Sequence, residues 1–270
     1  MAPTIPTVRY GTIDTDYAAR LATTPPDDDG PIWMVNLMHY RDRADYGAAG
    51  GPDVSGREAD DLYAPLDELH QLGAEIVFLA DVDSQLLGDA PQWDRVAVVK
   101  YPSRRAFIEL QELPTYPAKH VHKEAGMEQT FVIGTQPIAA PEVPADRPEW
   151  TDVPHPPTAE DPSVVVIHVL KFVDEGLGEM DQYTNHAGTI AVPHGVRIAG
   201  WFGVEGTIVG DGRAWDQVRF NAFPSREAFM AVVFDPERLK AQGDHREPAI
   251  ADTYTMILRP MIDRLTESIG

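Results

Sequence analysis

An α+β fold built twice in tandem is what this sequence predicts. Three observations carry that expectation: an internal repeat, the same order of strand and helix patterns in both copies, and a proline-rich stretch between them. The stretch WDRVAVVKYPSRRAFIELQELP from Trp93 returns as WDQVRFNAFPSREAFMAVVFDP from Trp215, at an offset of 122. Gly73, Ile76, Val82, Leu87, Gly88 and Asp89 match Gly195, Ile198, Val204, Val209, Gly210 and Asp211 at the same offset. After a one-residue slip, HKEAGMEQTF from His122 matches HREPAIADTY from His245. Two copies are too few for a solenoid, so a facing pair of homologous units is the natural arrangement.

The chain divides into a polar N-terminal arm (1–30), a first unit (31–138), a linker (139–162) and a second unit (163–270). Trp33 to Tyr40 and Val164 to Phe172 are apolar runs rich in β-formers and predict the first strand of each unit. In the first copy Ser55-Gly56-Arg57-Glu58 makes a capping box, followed by Leu62, Leu66 and Leu69 at helical spacing and Gly73 as a stop. Pro65 sits awkwardly inside that helix and offers a later start. In the second copy Met180, Tyr183, Ala187 and Ile190 form the equivalent stripe, closed by Pro193 and Gly195. Strands follow at 75–88 and 93–101, with counterparts at 197–210 and 215–223. Ser103 and Ser225 then cap a second helix, with Phe107 and Phe229 one turn inside. A last strand covers 129–135 and 252–258. Between Pro137 and Pro162 eight prolines fall in 26 residues, a composition that favours extended polyproline II and can reach across a small domain.

The order βαββαβ is the ferredoxin-like arrangement, an antiparallel four-stranded sheet with both helices on one face. Its other face is bare and apolar and has to be covered. A second copy in the same chain covers it if the two units pack sheet to sheet as a pseudo-dimer. With 22 basic against 43 acidic residues, the formal charge of -21 repels nucleic acid and anionic membrane. Neither is an expected partner. The absence of cysteine excludes disulfides, thiolate nucleophiles and Cys-ligated metals. With neither a leader pattern nor a bilayer-length apolar run, a cytoplasmic location is expected.

The motif WD-x-V-x(4)-[YF]-P-S-R-x-A-F, with an upstream strand such as VNLMHY and a Tyr-containing first helix, resembles the dimeric α/β-barrel superfamily. It looks most like that superfamily's small uncharacterised-domain branch, neighbouring EthD-like and antibiotic-monooxygenase-like proteins. The resemblance covers both units, but not the arm or linker. It implies two tandem ferredoxin-like units forming an intrachain dimeric α/β barrel, with a pocket between the sheet and helices of each unit. It does not choose a reaction, because the superfamily spans cofactor-free monooxygenases, cyclases, isomerases and haem enzymes.

No nucleophile elbow, P-loop or HExxH is present. The informative residues are polar ones where the copies differ. Asn36 aligns with His168 at the centre of an apolar strand; His168 is a candidate general base, or alternatively a core histidine bonded to a backbone carbonyl. Ala97 and Val99 align with Arg219 and Asn221, which are candidates to bind a carboxylate or enolate oxygen, unless they face solvent or the other unit. Tyr183 and His186, three apart on one helix, complete the leading catalytic set, with a core Tyr beside a solvent-facing His as the plainer alternative. Asn36 and Tyr63 are further candidate substrate contacts. His120, His122 and Glu124, with His39 and His70 nearby, form an alternative metal set. The repeated His122 and His245, with Glu124 and Glu247 after them, read as shared helix-terminal ion pairing, and Trp93 and Trp215 as core anchors.

The resulting expectation is a small-molecule enzyme using general acid–base catalysis without a cofactor. It would act as an isomerase, cyclase or lyase on an apolar carbonyl-containing metabolite. The alternatives are a haem- or divalent-metal-dependent enzyme with a His ligand, and a non-catalytic small-molecule-binding accessory protein. Self-association beyond the intrachain pseudo-dimer is left open.

Overall fold

The computed structural model describes residues 8–270. An opening segment carries β1 (Thr12–Ile13) and α1 (Thr15–Thr23). The first repeat follows as β2 (Ile32–Tyr40), α2 (Gly56–Tyr63), α3 (Leu66–Gln71), β3 (Glu75–Leu87), β4 (Arg95–Tyr101), α4 (Arg104–Glu112), α5 (Tyr116–Gly126) and β5 (Met127–Pro137). The second comprises β6 (Val164–Phe172), α6 (Leu177–Ala191), β7 (Arg197–Gly210), β8 (Gln217–Phe223), α7 (Arg226–Val233), α8 (Pro236–Ala241), a π-helical turn Gln242–Arg246, α9 (Glu247–Ala249) and β9 (Ile250–Asp263). A short helix, α10 (Leu265–Ile269), ends the chain.

Each repeat has the ferredoxin-like strand order, β5-β2-β4-β3 and β9-β6-β8-β7, antiparallel throughout. The repeats join edge to edge, β3 to β9 and β5 to β7, so eight strands close into one barrel. Closure leaves no unpaired strand edge in the ring, and that row of backbone groups would otherwise be a pairing liability. The architecture is that of an intrachain dimeric α/β barrel.

Strand parity divides the side chains. Trp33, Val35 and Leu37 of β2 and Val165, Ile167 and Val169 of β6 point into the barrel, where they meet Phe78, Phe131, Phe220 and Tyr254 in one apolar core. Trp93 and Trp215, read as anchors, are buried there at the same end, each 5.6 Å from the Tyr254 ring. α10 adds Leu265 to this core, and Ser268 Oγ accepts from Trp33 Nε1 at 2.9 Å.

Local signals account for most boundaries. The capping box at Ser55 and Glu58 is formed, and Ser103 and Ser225 accept from Ala106 N and Ala228 N. Pro65 does break the first helix after Tyr63, which uncouples the expected stripe: Leu69 is buried, but Leu62 and Leu66 are exposed. The one-residue slip between the copies falls in the second helical region, where α5 is regular and its counterpart carries the π turn. A single inserted residue is what such a turn accommodates.

The opening segment departs from the expected polar arm; its first seven residues lie outside those described. In α1 the side chains of Tyr17 and Leu21 are buried against the first repeat's helix-side cluster. A Cβ at Gly134 would collide with the Tyr17 hydroxyl, and one at Gly206 would press on its ring. Burying these two side chains stabilises the docking by about 1.5–3 kcal/mol each. Residues 138–163 carry neither helix nor strand.

Candidate functional site

One row of aligned positions crosses four strands on the helix-facing side of the second repeat. Thr255 on β9 stands opposite His168 on β6, His168 opposite Arg219 on β8, and Arg219 opposite Trp201 on β7. Because Ile167 and Val169 fill the barrel, the pleat turns His168 toward the helices. Asn221, two residues beyond Arg219, shares that face. Opposite the sheet, α6 supplies Met180, Tyr183 and Thr184, α7 supplies Phe229 and Val232, and the π turn ends on Arg246. Between the two layers lies a cavity of about 320 Å³ lined by all of these except Thr255, with Pro141 to Pro144 of the inter-repeat segment forming part of its wall. Its remaining surface is largely aliphatic and aromatic, including Val196, Ile198, Phe223 and Val233.

Three of the polar groups are arginines. Arg219 is 3% exposed; its Nε donates to Gln217 Oε1 at 2.8 Å and its Nη1 to Thr184 Oγ1 at 3.0 Å. Its guanidinium also stacks on Trp201, 4.2 Å from the ring centroid. Burial, with Arg246 adding to it, lowers the Arg219 pKa to about 10, which leaves it a cation at neutral pH. Arg238 Nε donates to the Tyr183 hydroxyl at 3.0 Å. Arg246 is 5% exposed, and its Nη2 is buried without a hydrogen-bond partner.

His168 Nδ1 lies 3.1 Å from Thr255 Oγ1. Burial first, then the cations Arg246, Arg219 and Arg238, hold the imidazole well below its ordinary pKa, so it is neutral at pH 7. In the tautomer whose Nδ1–H donates to Thr255, Nε2 keeps a lone pair. The arrangement can therefore accept a proton at His168 and stabilise negative charge at Arg219 and Asn221.

Of the residues singled out from the sequence, His168, Tyr183, Arg219 and Asn221 line this one cavity. His186 does not: it is exposed, about 120° round α6 from the centre of the buried stripe at 100° per residue. Asn36 and Tyr63 belong to the first repeat. The Asn36 amide donates back to Met34 O at 3.0 Å, and the Tyr63 hydroxyl lies 3.4 Å from that of Tyr116. Sequence reasoning missed Arg238, Arg246, Trp201 and Thr184 as cavity residues. The available signal was the register of Arg246 with Lys123, a basic residue that is also buried in its own repeat.

The alternative metal set does not assemble. His120 Nε2 meets the Tyr10 hydroxyl at 3.0 Å, while His122 Nδ1 meets the Tyr46 hydroxyl at 2.8 Å, because positions two apart on α5 face different neighbours. His39 bonds Asp94, and His70 is exposed. Among the described residues no group of three His, Asp or Glu could hold a metal ion. At His168 a single imidazole surrounded by three guanidinium groups is a poor donor set for a cation. The cavity also lies at the small end of the range for small-molecule sites, roughly 300–1,000 Å³. The expected shared ion pairing at His122 and His245 is not shared either, since His245 pairs with Glu179 at 2.7 Å and Glu247 accepts from Gln242.

A second depression of about 340 Å³ lies between β1 and the β7–β8 turn. Its charged groups already have partners: Glu205 with Arg104, Arg213 with Asp211 and Asp252, and Asp14 accepting from Tyr17 N as the cap of α1.

No family model matches the chain, and no curated protein matches it. Solved structures do. A protein of unknown function from Rhodopseudomonas palustris is 27% identical, covering 48% of this chain and 98% of its own, with a TM-score of 0.42. A proposed monooxygenase from Fusobacterium nucleatum is 9% identical over 86% of this chain and 93% of its own, at a TM-score of 0.48. The chlorite dismutase of Candidatus Nitrospira defluvii, in complex with imidazole, is 12% identical over 93% of this chain and 98% of its own, at a TM-score of 0.47. These likenesses support no finer placement, and the EthD-like branch expected from the sequence is not carried further. No helix among the described residues is long and apolar enough to cross a membrane.

Proposed function

We propose that the chain is a small-molecule enzyme of the isomerase, cyclase or lyase type, acting by general acid–base catalysis on an apolar carbonyl compound held in the second repeat. The observation that carries this reading is the neutral imidazole of His168 at an apolar cavity, directly across the strand pair from the buried cation Arg219. His168 Nε2 takes the proton from the carbon beside the substrate carbonyl. The electron pair moves onto the carbonyl oxygen, and Arg219 with Asn221 stabilises the resulting enolate. The imidazolium then returns the proton to another carbon or to a leaving group. Tyr183, its hydroxyl held by Arg238, positions the substrate body.

Exchange of α-protons for deuterium tests the first step without knowledge of the product. A panel of apolar carbonyl compounds is incubated with the protein in D₂O and followed by NMR. At least one compound should exchange, and His168→Asn should slow that exchange by about 100-fold or more while the thermal midpoint stays in the folded range. Exchange by the variant at the wild-type rate refutes the role of His168. A compound that raises the melting temperature and is never exchanged makes this a binding protein instead.

A further inference from the structure

The second repeat buries positive charge that no carboxylate contacts directly, although Asp181 and Glu247 act on Arg219 and Arg246 from further away. Arg219 and Arg246 are 3% and 5% exposed, Arg238 is half-buried beside them, and among the described residues none has a carboxylate oxygen within 4.0 Å. Glu142, the acidic residue of the cavity lining, is exposed and pairs with none of them. Three other arginines are paired: Arg95 is shared by Asp60, Asp61 and Asp81, Arg104 meets Glu205, and Arg213 meets Asp211 and Asp252. Lys123, in register with Arg246, is also buried but lies over the Tyr10 and Tyr63 rings, at 5.4 and 5.2 Å from their centroids. An unpaired buried ion carries a desolvation penalty that an anion at the same place offsets.

We infer that the cavity is built for an apolar organic acid, whose carboxylate is received by Arg246 with Arg238 and Arg219 while its hydrocarbon or aromatic body fills the pocket. The inference rests on the enzymatic reading for its site and goes further by naming the substrate class. Three features select a carboxylate. The buried Nη2 of Arg246 lacks a partner, and a guanidinium offers parallel N–H groups that match a carboxylate edge. The start of α8 reaches the cavity through Arg238, but its Glu237 and Arg238 N–H groups already donate to Asp235 Oδ1, and no glycine-rich loop is among the described lining residues, so free backbone donors of the kind that commonly receive a phosphate are missing from the wall. The walls leave space for a body of one or two rings. Bound anion also changes the chemistry next to it. By offsetting the field of the three cations, a carboxylate raises the basicity of His168, so the acid substrate itself readies the base.

The test uses the full chain and matched pairs of acid and amide: 3-phenylpropanoate, indole-3-propanoate and octanoate, each against its primary amide, with 3-phenylpropylphosphonate as a further probe. Calorimetry should show at least one acid binding tenfold or more tighter than its amide. Arg246→Gln should weaken that acid by tenfold or more and leave the amide unchanged. His168→Asn should still prefer the acid to its amide; exchange in that variant at the wild-type rate with the acid preference retained is failure of the catalytic reading alone, whereas loss of exchange without any acid preference in either protein is failure of this one alone. If Arg246→Gln does not fold, the wild type suffices: the acid, and not the amide, should raise its melting temperature and shift the His168 imidazole resonances toward the protonated form. Amides that bind as well as their acids, or an absence of any preferred acid, overturn the inference. A phosphonate that binds more tightly than every acid also overturns it.

Discussion

The two repeats share a barrel and differ on one row of four residues. In the first repeat the row across the sheet reads Val132, Asn36, Ala97, Leu79; in the second the same row reads Thr255, His168, Arg219, Trp201. The first repeat holds its buried arginine two residues earlier on the strand, at Arg95, where Tyr40 and three aspartates complete the polar network. The second places Gln217 at that position and uses it as an acceptor for Arg219. Around Arg95 the first repeat's polar groups therefore satisfy one another, while in the second repeat Arg246 Nη2 is buried without a partner. Both copies keep the closed barrel, and the second lacks the carboxylate pairing that the first has at Arg95.

The barrel core should respond alike in the two halves, and this is where the largest stability effects are expected. Trp93→Ala and Trp215→Ala each remove a buried indole from the shared interior and should each cost about 3–5 kcal/mol in denaturant unfolding. A loss confined to one of them would mean that the halves do not share a single cooperative core. The arginines should respond in opposite directions. Arg95→Met strands buried Asp60 and its neighbours and should destabilise by about 3–5 kcal/mol. Arg246→Met removes an unpaired buried cation and should be neutral or stabilising in the ligand-free protein, by up to about 2 kcal/mol. Equal destabilisation by both would remove the contrast between a self-satisfied repeat and an open one.

How much of this was legible in the chain depends on the physics of each element. The repeat, the alternation of strands and the caps at Ser55, Ser103 and Ser225 are local patterns, and local patterns survive without coordinates. His168, Arg219 and Asn221 were visible because a polar side chain inside an apolar strand is costly and needs a reason. His186 was misplaced because spacing from Tyr183 alone does not fix the centre of a helix's buried stripe; Met180, Ala187 and Ala191 do. Arg238 and Arg246 were hidden because basic residues in a last helical turn usually sit in solvent, and only the π turn carries Arg246 inward. The docking of α1 depends on glycines more than a hundred residues away, at Gly134 and Gly206, a relation no window of sequence contains. The edge pairing of β3 with β9 is equally non-local.

Acid pH should weaken both repeats through one buried histidine in each. His168 and His120 are both held below the ordinary imidazole value by burial, His120 to about 4 with Lys123 contributing. An unfolded imidazole takes its proton near pH 6.5, whereas these two cannot do so in the native state until the pH is lower. Below about pH 6.5 the unfolded chain therefore binds more protons, and stability present above that pH is lost as the pH falls. Each group contributes a slope of up to about 1.4 kcal/mol per pH unit, for His120 between about pH 6.5 and pH 4. Replacing His168 by Asn, the residue of the first repeat, should remove one such slope from urea midpoints measured between about pH 7 and pH 5. An unchanged slope would mean that the imidazole titrates freely.

The smallest expected difference lies at the two Pro-Ser helix starts, which are nearly superimposable in design. Asp29 accepts from Arg104 N and Arg105 N beside the Ser103 cap, and Asp161 accepts from Arg226 N and Glu227 N beside Ser225. Loss of either cap, as Ser103→Ala or Ser225→Ala, should cost about 1 kcal/mol. Ser225 does one thing more: its hydroxyl donates to His155 O at 2.8 Å and so ties the inter-repeat segment to the second repeat. Breaking a buried hydrogen bond of this kind adds about 0.5–1.5 kcal/mol, so Ser225→Ala should be the costlier of the pair in urea unfolding. Equal losses would mean that this tie contributes nothing, and that the segment beside the cavity is held by Trp150 Nε1 on Gly195 O and by Val153 in its pocket rather than by the helix cap.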